Sequence, residues 1–241
     1  MKVVGIKHLL KRGHSLTSYT NKFEEAMVDG TFFLDGIDLA LGPDYALYFY
    51  QKRTNKIDFS EVDKAVEFFR ALSAVYPETS IIPGTMPYKI KDKLFHVAPI
   101  FINGQLDDML LKESDCGEAR LAKANGLEYK KGDSSENYVY VNGKKVAVEI
   151  CSDFGKQRVS KDTFLEAILA FDNLGGFSIR ADNDDFSRYG LICNSVKRAG
   201  TNGSNKVIPV DCSQYSLDNF PKQRVVEPSY ETKDSCGYIL T

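Results

Sequence analysis

The stretch Val146-Ala147-Val148-Glu149-Ile150-Cys151-Ser152-Asp153-Phe154-Gly155 decides how the chain is read. Its apolar first half predicts a strand, Cys151 closes that strand, and a helix is expected to follow. A nucleophile on a sharp strand-to-helix turn stands clear of the sheet, and the next backbone N–H groups point where an oxyanion would form. A helix N-terminus beside it would favour the thiolate. Free cysteine is also a common core residue, so position by itself leaves both readings open.

Upstream, Asn142-Gly143 separates Asn137–Val141 from Lys144–Ile150, and Asn103-Gly104 separates Phe95–Ile102 from Gln105–Leu111. Asn-Gly between apolar runs predicts a hairpin, because a type I′ turn needs positive φ at both central residues. Residues 2–6, 37–41 and Ser80-Ile81-Ile82 read as further strands. A helix is predicted over Tyr19–Met27. Another, capped by Ser60 with Asp63 at the capping-box position, carries the stripe Val62, Ala65, Val66, Phe69, Leu72 and Tyr76. A last helix is predicted from Ser160 to Leu174, ended by Gly175-Gly176. The alternation of strand and helix predicts an α/β protein with helices packed over a mixed sheet. No linker or repeat interrupts residues 1–241, so one domain is expected, with a polar tail from about Asp211.

The chain has 241 residues, 43% hydrophobic and 27% charged, the balance of a globular domain able to bury a core. Lys and Arg total 31 against 33 Asp and Glu, a net charge of −2 that argues against a nucleic-acid partner. No apolar run reaches the ~18 residues of a membrane span, so no membrane partner is expected. Lys2-Val3-Val4-Gly5-Ile6 reads as an opening strand rather than a signal peptide. Five scattered cysteines with no CxxC pair and three histidines predict neither disulfides nor a metal site, and a cytoplasmic location. No cofactor motif is present. The Asp153-Phe154-Gly155 triplet has no kinase loops beside it, and Asp182–Asp185 lacks the glycine and closing Glu of a calcium loop.

Two polar residues share the placement of Cys151. Lys112 follows the first hairpin, and Asp44, in Gly42-Pro43-Asp44-Tyr45, follows the second predicted strand. Strand ends are where α/β folds gather their chemistry. Taken singly, Lys112 reads as a surface lysine and Asp44 as a turn residue. Together, acid, amine and thiol match a cysteine nucleophile with a carboxylate base and a cationic stabiliser.

The ordered set resembles the nitrilase superfamily of carbon–nitrogen hydrolases, which use a Glu–Lys–Cys triad. Gly42-Pro43-Asp44-Tyr45-Ala46-Leu47 is similar to the segment that carries the triad acid. Ile82-Pro83-Gly84-Thr85 and Leu94-Phe95-His96-Val97-Ala98 resemble two of its strand segments, and Asn103-Gly104 through Lys112 resembles the hairpin that delivers the lysine. Glu128 through Asp153 resembles the region around the nucleophile. The similarity spans roughly residues 1–155. It implies a four-layer αββα sandwich, a homodimer, and an amidase acting on a small carboxamide through a thioester, with a nitrile as the other substrate class. Catalytic roles fall by resemblance on Cys151, Lys112 and Asp44, and on Glu118 in Glu118-Ala119-Arg120, with Glu128 as its rival. The chain departs from the pattern at Asp44, where the family has Glu, and at His96, where it has Asn. Glu149 replaces an apolar residue and, by strand alternation, would share a face with Cys151, as a surrogate base. The acidic run before Tyr189-Gly190-Leu191 leaves little room for a helix that the family has there. These departures motivate the alternative of a catalytically impaired binding or regulatory module.

Overall fold

The computed structural model describes residues 1–6, 14–51, 54, 56–134, 137–153, 162–170, 189–194, 197–198, 207–208, 212–216, 224–225 and 228–241. The first half builds one mixed sheet with two helices on its outer face. Strand β1 (Lys2–Ile6) leads through α1 (Leu16–Leu34) to β2 (Leu39–Leu41), and α2 (Phe59–Val75) leads to β3 (Ser80–Ile82). These three strands pair in parallel, as crossover helices require. β4 (Met86–Ile90), β5 (Lys93–Ile102) and β6 (Gln105–Leu111) continue the sheet antiparallel. A short helix α3 (Glu118–Ala124) follows, and then β7 (Glu128–Tyr129), which adds to β5.

The second sheet starts with the hairpin β8 (Tyr138–Val141) and β9 (Lys144–Ile150), then adds β10 (Thr163–Ala170) and β11 (Tyr189–Asn194). β12 (Lys197–Arg198) and β13 (Val207–Ile208) form a separate ribbon. β14 (Cys212–Ser216) and β15 (Arg224–Val225) extend the second sheet to the order β15-β14-β11-β10-β9-β8. The chain then returns to the first sheet. β16 (Tyr230–Glu231) and β17 (Ser235–Ile239) give the order β16-β17-β1-β2-β3-β5-β4, so part of the expected tail is built into the sheet beside β1.

Two apolar cores hold these layers. α1 turns Tyr19, Phe23, Met27 and Leu34 inward, α2 turns Val62, Ala65, Phe69 and Leu72, and all pack on the first sheet. The Phe23 and Phe69 rings meet edge to face at 4.9 Å, which joins the helices. The other core lies between the sheets, where Val3, Leu39, Leu41, Ile82 and Ile100 meet Val146, Val148, Ile150, Leu165 and Leu169. Helix, sheet and sheet are therefore stacked in the order expected of an αββα sandwich. The helix expected directly after Cys151, and the one expected to be missing before Tyr189, fall outside the described residues.

Both Asn-Gly hairpins form as predicted, with positive φ at Asn103, Gly104, Asn142 and Gly143. Three expectations are corrected. Residues 163–170, read as part of a helix over 160–174, are strand β10, parallel to both β9 and β11. A strand buried on both faces is nearly continuously apolar, and Phe164–Ala170, with Glu166 as its one polar residue, offers no alternation to separate it from a buried helix. Ser60 does not cap α2. The helix begins at Phe59 with Asp58 at the cap position, and Ser60 donates its hydroxyl to the Asp58 carboxylate at 2.8 Å. α1 runs well past the predicted Tyr19–Met27 at both ends, starting after Ser15, whose side chain accepts from the Ser18 N–H.

Candidate active site

Three strand ends and the start of α3 supply the site. Asp44 lies just beyond β2, in a turn clamped against the segment after β3. The Gly42 N–H bonds the Ile82 carbonyl at 2.8 Å, and the Leu47 N–H bonds the Thr85 carbonyl at 3.0 Å. Gly84 has φ of 96°, and a Cβ there would lie 2.1 Å from the Pro43 carbonyl oxygen, so only glycine permits this approach. Tyr45, the next residue, is held in the left-handed region at φ 59°, with its N–H within 2.7 Å of Thr85 Oγ1 and 3.0 Å of Asp44 Oδ1.

The Asp44 side chain is fully buried, and its two oxygens differ. Oδ1 takes the Thr85 hydroxyl at 2.5 Å, the Tyr45 N–H and His96 Nε2 at 2.7 Å. Oδ2 has no hydrogen-bond partner among the described residues. Burial works to raise the Asp44 pKa, but the bonds from His96 and Thr85 and the Lys112 ammonium outweigh it and hold the carboxyl below its ordinary value.

Lys112 follows β6 and is 1% exposed. Its N–H bonds the His96 carbonyl at 3.0 Å, and its own carbonyl accepts the Gly132 N–H at 2.8 Å. A Cβ at Gly132 would sit 2.1 Å from Leu111 Cβ, so the Lys130-Lys131-Gly132 turn can close on Lys112 only with glycine there. Lys112 Nζ donates to Glu118 Oε1 at 2.5 Å. Burial works against the ammonium, yet Asp44, Glu118 and the Cys151 thiol together raise its pKa above the ordinary lysine value. Lys112 is thus bonded to Glu118 and lies within electrostatic reach of Asp44 and Cys151.

Glu118 opens α3 and is fully buried. Oε1 also accepts the Tyr45 hydroxyl at 2.7 Å, and Oε2 accepts the Cys116 N–H at 2.5 Å. Burial pushes its pKa up, while the Lys112 ammonium and the bonds from Lys112 and Tyr45 bring it below the ordinary value. Its rival Glu128 is exposed and, among the described residues, pairs with Lys130 at 3.3 Å rather than with this cluster.

Cys151 stands where β9 ends, as the first residue of a 3-10 turn over Cys151–Asp153, at φ 52° and half-buried. A non-glycine residue in that region costs about 1–3 kcal/mol and persists only where its surroundings hold it. Asp153 supplies the hold: its carboxylate accepts the Glu113 and Ser114 N–H groups at 2.7 Å each, tying the turn to the loop that leaves Lys112. The alternation expected to set Glu149 beside Cys151 does not reach it. Val146, Val148 and Ile150 face the inter-sheet core, Glu149 lies on the opposite face of β9, and the kinked Cys151 packs against that core.

Sequence reasoning missed the working parts of Tyr45, Tyr48 and Thr85. Gly42-Pro43-Asp44-Tyr45-Ala46-Leu47 signalled only the acid, and Ile82-Pro83-Gly84-Thr85 only a strand segment. His96, marked merely as a departure, lies at the centre of the cluster, with Nδ1 2.8 Å from the Tyr48 hydroxyl and 3.6 Å from Glu118 Oε1. Among the described residues no group of His, Cys, Asp and Glu could hold a metal ion, and no helix is long and apolar enough to cross a membrane.

No protein-family profile matches the sequence, and no curated protein matches it. Its fold, in contrast, matches solved structures over nearly the whole chain. A cysteine-to-alanine variant of a Nesterenkonia amidase from the nitrilase superfamily superposes with a TM-score of 0.65 at 12% identity, covering 99% of this chain and 89% of that one. An amidase from Nesterenkonia sp. gives 0.65 at 13% identity over 99% and 89%. A glutamate-to-glutamine variant of that organism's amidase, carrying acrylamide added at the active site cysteine, gives 0.65 at 13% identity over 100% and 93%. The resemblance carried by Asp44, Lys112 and Cys151 and the architecture thus agree: the chain has the fold of the nitrilase-superfamily amidases.

Proposed function

We propose that the chain is a cysteine-dependent hydrolase of nonpeptide carbon–nitrogen bonds, an amidase of small carboxamides that proceeds through a thioester. The observation that carries this reading is the buried Asp44 carboxylate, whose Oδ1 holds three donors and whose Oδ2 has none among the described residues, within electrostatic reach of the buried Lys112 ammonium, which the strained Cys151 also reaches. In the proposed reaction Asp44 Oδ2 takes the Cys151 proton and the sulfur bonds to the amide carbon. The carbonyl oxygen becomes an oxyanion, held by Lys112 Nζ–H and a backbone N–H after Cys151. On collapse the carbon–nitrogen bond breaks, and the amine leaves with the proton from Asp44. Asp44 then takes a proton from water, hydroxide adds to the thioester, and the carboxylic acid departs as the thiol recovers its proton. Glu118 orients Lys112, and Asp153 fixes the nucleophile's turn against the Lys112 loop.

Asp44 is one methylene shorter than the family's Glu, which is the observation favouring the impaired, ligand-binding alternative. The rate of Cys151 alkylation by iodoacetamide against pH separates the two. Labelling of Cys151 well ahead of Cys116, slowed in Lys112→Ala, supports the hydrolase and justifies a screen of amides and nitriles. A Cys151 no faster than Cys116 supports the binding module. A cytoplasmic homodimer belongs to the same proposal and is tested by sedimentation velocity and cell fractionation.

A further inference from the structure

His96 is buried to 1% exposure among Asp44, Tyr45, Tyr48 and Glu118, with Lys112 bonded to Glu118 beyond it. The protons in this cluster can be assigned from its hydrogen bonds. The Tyr48 hydroxyl is buried, and its one hydrogen bond among the described residues is to His96 Nδ1 at 2.8 Å. A buried hydroxyl that does not donate costs about 1–3 kcal/mol, so Tyr48 donates and Nδ1 is the acceptor. Nε2 lies 2.7 Å from Asp44 Oδ1, a distance that a carboxylate keeps only with a donor. Nε2 therefore carries the proton. An imidazolium would leave the Tyr48 hydrogen without an acceptor, and the other neutral tautomer would set a lone pair 2.7 Å from Asp44 Oδ1, far closer than the 3.6 Å between Nδ1 and Glu118 Oε1.

We infer that His96, fixed by Tyr48 as the neutral Nε2–H imidazole, is the positioning residue of the site, and that it engages Asp44 Oδ1 so that Oδ2 alone is left to exchange a proton. The inference rests on the reading of Asp44 as the base. It explains how a short carboxylate is held in one orientation: three donors converge on Oδ1, from the Thr85 hydroxyl, the Tyr45 backbone and the imidazole. Rotating the carboxylate would strand all three. Tyr48 acts at one further remove, setting which imidazole nitrogen faces Asp44.

Two measurements test this. The first is the nitrogen-15 NMR spectrum of the imidazoles in the resting, full-length protein at pH 7, with His96 assigned from His96→Gln. The Nε2–H tautomer is expected; an imidazolium or the Nδ1–H tautomer overturns the inference. The second is the pH dependence of Cys151 alkylation in His96→Phe, His96→Gln and Tyr48→Phe. Phe fills the site without a donor, so the acid limb of the profile should move up by about one pH unit, about tenfold slower labelling on that limb. Gln can offer an N–H and should restore most of it, and Tyr48→Phe should fall between. A Cys151 that stays reactive, with an acid limb indifferent to position 96, overturns the inference and leaves the hydrolase intact. A wild-type Cys151 no more reactive than Cys116 removes the hydrolase and this role together. The NMR measurement on the wild-type protein decides the tautomer even if His96→Phe does not fold.

Discussion

Replacing Lys112 by Met removes a charge that two buried carboxylates share. Lys112 and Glu118 are 1% and 0% exposed and bonded at 2.5 Å. Taking one partner from such a pair costs about 3–5 kcal/mol, because the remaining charge stays buried. Here Glu118 keeps the Tyr45 hydroxyl and the Cys116 N–H, which favours the lower end of that range. For a loss of about 3–4 kcal/mol, at about 2–4 °C per kcal/mol for a chain of this size, Tm should fall by about 6–16 °C. Adding Glu118→Gln to Lys112→Met should recover part of the loss, since an amide can accept from Tyr45 without a net charge. Differential scanning calorimetry of wild type, both single variants and the double variant closes the cycle. The pH dependence has a definite sign. The raised Lys112 pKa gives stability that is complete below the unfolded value of about 10.4 and lost as pH rises beyond it. The lowered Glu118 pKa gives stability that is complete above about 4.3 and lost as pH falls below it. The deficit of Lys112→Met should therefore be flat from about pH 5 to 10 and shrink toward acid. A variant as stable as wild type at pH 7, or a double variant no better than Lys112→Met, would refute a buried, mutually dependent pair.

Asp44→Asn should slow amide turnover by about 10²–10⁴-fold, the usual worth of a positioned base, with Tm changed far less than in Lys112→Met. Single-turnover kinetics against Tm checks this, and unaltered turnover would place the base elsewhere. Gly132→Ala drives a Cβ to 2.1 Å from Leu111 Cβ and should destabilise by about 1–3 kcal/mol while loosening the Lys112 loop; urea unfolding measures it, and an unchanged midpoint would contradict the contact. Asp153→Asn keeps one acceptor oxygen for the two N–H groups of Glu113 and Ser114. It should therefore lower the Cys151 alkylation rate more than it lowers Tm, and equal labelling in the two proteins would show that Asp153 does not hold the turn.

Local chemistry made much of this protein legible. Asn103-Gly104 and Asn142-Gly143 announced their hairpins because positive φ at two successive positions is a demand few residue pairs meet. The strand at Lys144–Ile150, its closing Cys151, and the placement of Lys112 and Asp44 at strand ends were readable for the same reason: turn residues and apolar runs act within a few neighbours. Residues 163–170 were misread because a strand enclosed by parallel neighbours on both sides has no polar face to set its period. Glu149 was misplaced because alternation stops where the backbone turns left-handed at Cys151.

The sequence by itself determined the two hairpins, the first three strands and the presence of the first two helices, since propensity, turn chemistry and periodicity are local. Tertiary structure alone decided that Glu118 rather than Glu128 meets Lys112, that Asp153 ties the Cys151 turn to the Lys112 loop, and that His96 and Thr85 converge on one oxygen of Asp44. Those partners are separated by up to 52 positions in sequence. A carboxylate's surroundings are set by whatever burial brings against it, and nothing in the neighbouring residues encodes that.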